Sequence, residues 1–131
     1  MARRFEPRAT TPRVRLSEVY ITQERYEEAL EHLDVLVRWE ASNPNYNLHR
    51  GLAQLRLKQW EKARHSLEIS VGLGGKPEGY AFLMEAYKEL GELEKDIEAG
   101  QRYLSITEDP QEIEGVRAVL QWLEKRLENE R

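Results

Sequence analysis

Apolar residues along this chain recur every three or four positions, and whole blocks of them recur at a longer interval. Tyr26-Glu27-Glu28-Ala29 and Trp60-Glu61-Lys62-Ala63 lie 34 residues apart, and Leu33 and Leu67 repeat that spacing. Leu93-Glu94-Lys95-Asp96 continues the series one residue early. Upstream of it, Tyr80, Leu83, Met84, Tyr87 and Leu90 run at helical spacing and stop at Gly91, a residue suited to ending a helix. Prolines fall at 12, 44, 77 and 110, at intervals of 32, 33 and 33. Proline is accepted in a helix's first turn and breaks the helix further in, so these four punctuate the chain. The pattern predicts helices over about 13–23 and 26–41, 45–57 and 60–72, 77–90 and 93–107, and 110–129. No segment alternates apolar and polar residues as a half-buried strand would.

The last of these helices is opened by Asp109-Pro110, with Glu112 and Glu114 in its first turns. Ile113, Val116, Leu120, Leu123 and Leu127 form one apolar seam along it, while Arg117, Glu124, Lys125 and Glu128 are left to solvent. Such a helix covers the open end of a stack. The chain is therefore read as all-α, an α-solenoid of three helix-turn-helix repeats (13–43, 44–76 and 77–109) closed by a capping helix over 110–131. Residues 1–12 read as a basic, flexible arm.

These residues resemble the tetratricopeptide repeat, whose period is about 34 residues. The second unit carries Gly51, Ala53, Leu55, Trp60, Ala63 and Leu67 in that family's order. The third carries Tyr80, Leu83, Ala86, Tyr87, Gly91 and Pro110, and the first carries Leu16, Tyr20, Tyr26, Ala29 and Leu33. Departures are Arg50 and Gln54, which replace apolar residues on a first helix, and Asp96, which stands where the family has a small residue. The resemblance implies a right-handed superhelix in which small residues let paired helices approach and large ones fill the gaps between units.

It also implies a concave groove, lined by the first helix of each unit, that receives a segment of a partner protein. The groove candidates are Val14, Glu18 and Ile21 from the first unit, Leu48, His49, Leu52, Leu55 and Arg56 from the second, and Phe82, Glu85 and Lys88 from the third. Gly51, Ala53 and Leu57 are expected to serve the packing of the second unit, leaving its leucine-rich face for the groove. A one-residue change of helical phase would instead make Leu48, Leu52 and Leu55 core. Family members that bind heat-shock chaperone tails hold the terminal carboxylate with a clamp of Lys, Asn and Arg. Val14, Glu18, His49, Ala81 and Glu85 stand at the matching places here, so that clamp is missing.

Composition narrows the chemistry. The chain has 131 residues, no cysteine, 34% charged and 8% aromatic residues, and a net charge of −4. No disulfide or cysteine-based zinc site can form, and a reducing, cytoplasmic setting is expected. No run approaches the roughly 18 apolar residues of a membrane span, and no apolar run follows the basic start as in a secretory signal. Charge is uneven: residues 1–15 carry a net +4, against −8 for the remainder. Arg3, Arg4 and Arg8 are candidates for contact with an acidic partner. Nucleic acid is not expected, because no aromatic platform accompanies them and the body is acidic.

His32, His49 and His65 lie on different helices, so no metal site is expected. Gly72-Leu73-Gly74-Gly75-Lys76 lacks the spacing and the preceding strand of a phosphate loop and reads as a connector. The many carboxylates sit at exposed helical positions. No cofactor and no catalysis are indicated. The expected function is protein–protein interaction as an adaptor or scaffold, with two alternatives: a small chaperone for a secretion or assembly subunit, or self-assembly. For the last, Val119, Trp122 and Arg126 lie off the capping seam and are a candidate dimer surface.

Overall fold

The computed structural model describes residues 7–131, with side chains from Thr10 onward. Its helices are α1 (Pro7–Thr22), α2 (Tyr26–Trp39), α3 (Pro44–Arg56), α4 (Trp60–Gly72), α5 (Glu78–Leu90), α6 (Leu93–Ile106) and α7 (Pro110–Asn129). Each packs on the next in sequence, and α3 also meets α5. Three antiparallel hairpins thus stack into an α-solenoid that α7 closes, with the odd-numbered helices side by side on one face.

Local chemistry explains the element boundaries. The Asn43 side chain accepts from the N–H groups of Asn45 and Tyr46 and starts α3, with Pro44 as its first residue. Asp109 starts α7 in the same way, accepting from the N–H of Gln111 ahead of Pro110. These caps satisfy N–H groups that the helix itself leaves unbonded. Each hairpin turns through one left-handed residue: Glu24 (φ 60°), Lys58 (φ 63°) and Gly91 (φ 73°). The next N–H then closes the helix end, Arg25 on the Tyr20 carbonyl (2.7 Å), Gln59 on Gln54 (2.8 Å) and Glu92 on Tyr87 (2.9 Å). The sequence repeat is therefore also a repeat of one turn geometry.

The N-terminal boundary departs from the expectation. Helix α1 begins at Pro7 and carries Pro12 inside it, so residues 7–12 are helical where a flexible arm over 1–12 was expected. Proline in the second turn removes a helical hydrogen bond, which ordinarily disfavours continuation. Tertiary contacts oppose this: Thr10 is buried, Arg13 Nη1 donates to His32 Nδ1 (3.0 Å), and the Arg13 guanidinium lies over Trp39 at 5.4 Å. Arg3 and Arg4 lie outside the described residues, and so does the side chain of Arg8.

The core runs through the stack as three clusters. Ala29, Leu33, Leu36 and Ala53 join α2 to α3, with Tyr20 and Tyr26 against them. Leu48, Leu55, Leu67, Leu83 and Tyr87 join α3, α4 and α5. Ile97, Leu120 and Leu123 hold the cap on α6. Small residues set the spacing between paired helices. A Cβ on Gly51 would lie 2.6 Å from Leu67 Cγ, and one on Gly100 2.8 Å from Leu120 Cδ2. The two polar departures of α3 are both accommodated: Gln54 is buried and accepts from Ser66 Oγ (2.7 Å), while Arg50 reaches Asp34 on α2 (3.0 Å).

Two substitutions test this reading by equilibrium urea unfolding. Lys58→Gly removes a side chain from a left-handed position and should stabilise the fold by up to about 1 kcal/mol. Gly51→Ala should destabilise it by about 1–3 kcal/mol through overpacking against Leu67, even though alanine favours a helix.

Candidate functional site

The odd-numbered helices bring several of the expected groove residues together. Glu18 on α1 and His49 on α3 are close enough that the Glu18 charge supports protonation of the imidazole. Burial outweighs this, with a smaller push from the Lys76 charge, and pulls the His49 pKa below its ordinary value, favouring the neutral ring. Further along, Arg56 Nη1 donates to Glu85 Oε2 (2.9 Å), and its guanidinium lies over the Phe82 ring at 5.9 Å. This pair bridges α3 and α5 in the open, where such contacts hold geometry more than they add stability. Leu52 is half-buried between the two groups on α3.

Two of the leucines expected in the groove are not there. Leu48 and Leu55 retain only 4% and 1% of their surface and belong to the central cluster. The cause is helical phase. At about 100° per residue, Leu48, Gly51 and Leu55 share one face, and Gly51 must face α4 for the helices to approach. Leu52 is one step off that face. Val14 and Ile21 lie half-buried against the first cluster, so much of their surface serves packing. Lys88 is exposed on α5 and turns toward α6.

A concavity lies at the C-terminal end of this face, between α5, the start of α6 and α7. It measures about 630 Å³. Met84 of α5, Leu93 of α6 and Val116, Val119 and Trp122 of α7 supply apolar wall, and Asp96 borders it from α6. Val119, Trp122 and Arg126, read from sequence as a dimer surface, line the α7 side. Val119 is 45% exposed and Trp122 61% exposed, with the Arg126 guanidinium 5.6 Å from the indole. Gly115, also on this side, leaves α7 bare, and a Cβ there would meet nothing within 4 Å.

Asp96 is the residue that sequence reasoning undervalued. It is 3% exposed, and burial raises its pKa to about 6, opposed only by the charge of Lys88. Among the described residues its carboxylate accepts no hydrogen bond and forms no ion pair. Its departure from the small residue of the repeat pattern was the signal, read there only as a packing irregularity. Among the described residues no group of three His, Cys, Asp or Glu side chains is placed to hold a metal ion, and no helix is long and apolar enough to cross a membrane.

No protein-family model matches the chain, and no curated protein sequence matches it. Solved structures do. PcrH, in complex with the chaperone binding region of PopD, superposes with a TM-score of 0.85 at 16% identity, over 96% of this chain and 98% of PcrH. The type III secretion translocator chaperone SycD of Yersinia enterocolitica gives 0.86 at 16% identity, over 95% of this chain and 89% of SycD. The first tetratricopeptide repeat domain of Spaghetti (RPAP3), bound to the HSP90 peptide SRMEEVD, gives 0.82 at 20% identity, over 96% of this chain and 98% of that domain. The chain thus has the tetratricopeptide-repeat fold, from its first helix to its cap.

Asp96 yields a pH-dependent prediction. Its folded pKa of about 6 lies above the ordinary 3.8, so the folded state holds this proton more tightly than the unfolded chain. The stability this contributes is full below pH 3.8 and is lost as pH rises through about 6. Asp96→Asn removes the titration while keeping the volume. It should therefore stabilise the protein at pH 8 by about 1–3 kcal/mol, the upper end discounted for the cleft's open side. Thermal unfolding at pH 8 and pH 4 checks this, with the gain shrinking at the lower pH.

Proposed function

We propose that the protein is a binding module that holds an extended or helical segment of a partner protein along its concave face, and that it catalyses no reaction. The observation that carries this reading is the cleft of about 630 Å³ bordered by the exposed Trp122 and Val119. A large aromatic left open beside apolar neighbours marks a surface meant to be covered. The groove residues Glu18, Ile21, His49, Leu52, Arg56, Phe82, Glu85 and Lys88 would extend the contact toward α1. A cytoplasmic setting is part of the proposal.

A second reading sharpens the first: a dedicated chaperone for a secretion or assembly subunit, as an alternative to a general adaptor. Charge favours it over a binder of acidic tails. SRMEEVD, the peptide held by the RPAP3 domain, is acidic. Such a peptide would meet Glu18, Glu85 and Asp96 here without the Lys, Asn and Arg clamp. The reading is supported by the likeness in fold to PcrH, solved with the chaperone binding region of PopD, and to SycD, solved with a peptide of the translocator YopD.

Photo-crosslinking in the cells that make the protein tests the proposal. A benzophenone side chain placed at His49 or Glu85, on the odd-numbered helices, should trap one discrete protein. The same group at Glu31 or Lys62, exposed on α2 and α4, should trap little. Leu52→Glu should weaken capture at least tenfold while the circular dichroism spectrum stays helical. Equal labelling from α2 and α4, or none from the concave face, would contradict the proposal.

A further inference from the structure

We infer that the cleft between α5 and α7 recognises a basic side chain: it seats a partner segment whose apolar residues fill the Met84, Val116 and Trp122 walls while a lysine or arginine reaches Asp96. The inference rests on the binding reading above and gives it a partner chemistry.

Three independent observations lead to it. Asp96 is buried to 3% exposure beside an open cavity, yet its carboxylate has no partner among the described residues. Of the other buried polar side chains, Gln54 is bonded to Ser66, Ser70 to the Pro44 carbonyl and Asn47 through its amide N–H to the Ala41 carbonyl, while Thr10 Oγ1 and Asn47 Oδ1 lack a partner but are neutral. The Asp96 oxygens open onto the cleft with spare acceptor capacity, and because burial favours the neutral form, an incoming cation would favour the charged one. Second, the cleft is acidic. Glu85 of α5, Glu92 at the start of α6, Asp96 and Glu112 of α7 line it, against Lys88 and Arg126. Glu85 is paired with Arg56, Glu92 with Lys95 and Arg64, and Glu112 accepts from the Tyr103 hydroxyl, so Asp96 is the carboxylate there with no partner of its own among the described residues. Arg126 is further engaged with Glu130 (3.2 Å) and Trp122, which leaves Lys88 as the cation acting on Asp96. Third, the volume of about 630 Å³ is that of a site for a few side chains, not for a whole helix-to-helix interface. Bare backbone at Gly115 keeps the entrance wide.

A consequence is pH dependence in the acid range. A carboxyl that titrates near 6 in the free protein is about one-tenth ionised at pH 5 and almost fully ionised at pH 7.5. Occupancy by a cation should therefore weaken about tenfold between those two values.

Display of a random twelve-residue peptide library on the full chain tests this. Selection on the wild type at pH 7.5 should enrich peptides with lysine or arginine beside apolar residues, and selection on Asp96→Asn should not. A recovered lysine peptide should bind the wild type about tenfold more tightly at pH 7.5 than at pH 5, in a fluorescence anisotropy titration. Asp96→Asn should lose at least tenfold in affinity together with the pH dependence. Gly115→Leu, which fills the cleft from an exposed helical position, should lose binding while unfolding no more easily than the wild type. Basic peptides that bind Asp96→Asn and Gly115→Leu as well as the wild type would overturn the cleft assignment and leave the wider binding function standing. Enriched peptides without a basic residue would do the same. So would a dimer of this chain, seen by sedimentation, that buries Trp122 and is indifferent to the peptide. Recovery of no peptide at all would overturn both readings.

Discussion

A two-helix hairpin of this length has apolar residues on more of its surface than its own two helices can cover, and the whole molecule follows from that constraint. Within a hairpin, helices approach closely only where a side chain is absent or small, as at Gly51 against Leu67. Between hairpins the gap is filled by larger residues, as where Leu48 and Leu55 meet Leu83 and Tyr87. Stability is then shared along the stack, each hairpin completing the core of the one before. The last hairpin has no successor. α7 takes that place through Leu120 and Leu123, with Gly100 of α6 allowing the close approach.

Much of this architecture was legible because one turn repeats. The left-handed residue, the bond that closes the helix end and the large residue that opens the next helix recur at Glu24–Tyr26, Lys58–Trp60 and Gly91–Leu93. Pro44 and Pro110 mark helix starts as expected, with Asn43 and Asp109 as caps. Pro12 does not. Local propensity argues against a helix running through it, and only contacts with α2, invisible in a local pattern, oppose that preference.

The concave face was less legible, for two physical reasons. One is helical phase: assigning Leu48 and Leu55 to the groove needed an error of only one residue, about 100° of rotation. Gln54 added to the difficulty, since a polar residue standing in for an apolar one does not reveal by its type that it is buried against Ser66. The other is that the cleft is a property of how α7 lies against α5, and no single segment encodes that angle. Trp122 and Val119 were recognisable as apolar residues without a core role. That they share a cavity with Asp96 was not. A residue that looked like a flaw in the repeat is, in the folded chain, a buried carboxyl at the edge of that cleft.

The measurement that bears most directly on this account is a carbon-detected NMR titration of the Asp96 carboxyl, in the free protein and with a bound basic peptide. The account predicts a midpoint near 6 in the free protein. It also predicts a fall into or below the ordinary carboxylate range when the peptide's cation arrives, since an opposite charge favours the ionised form. A midpoint that is already ordinary in the free protein, or one that the peptide leaves unmoved, would contradict it.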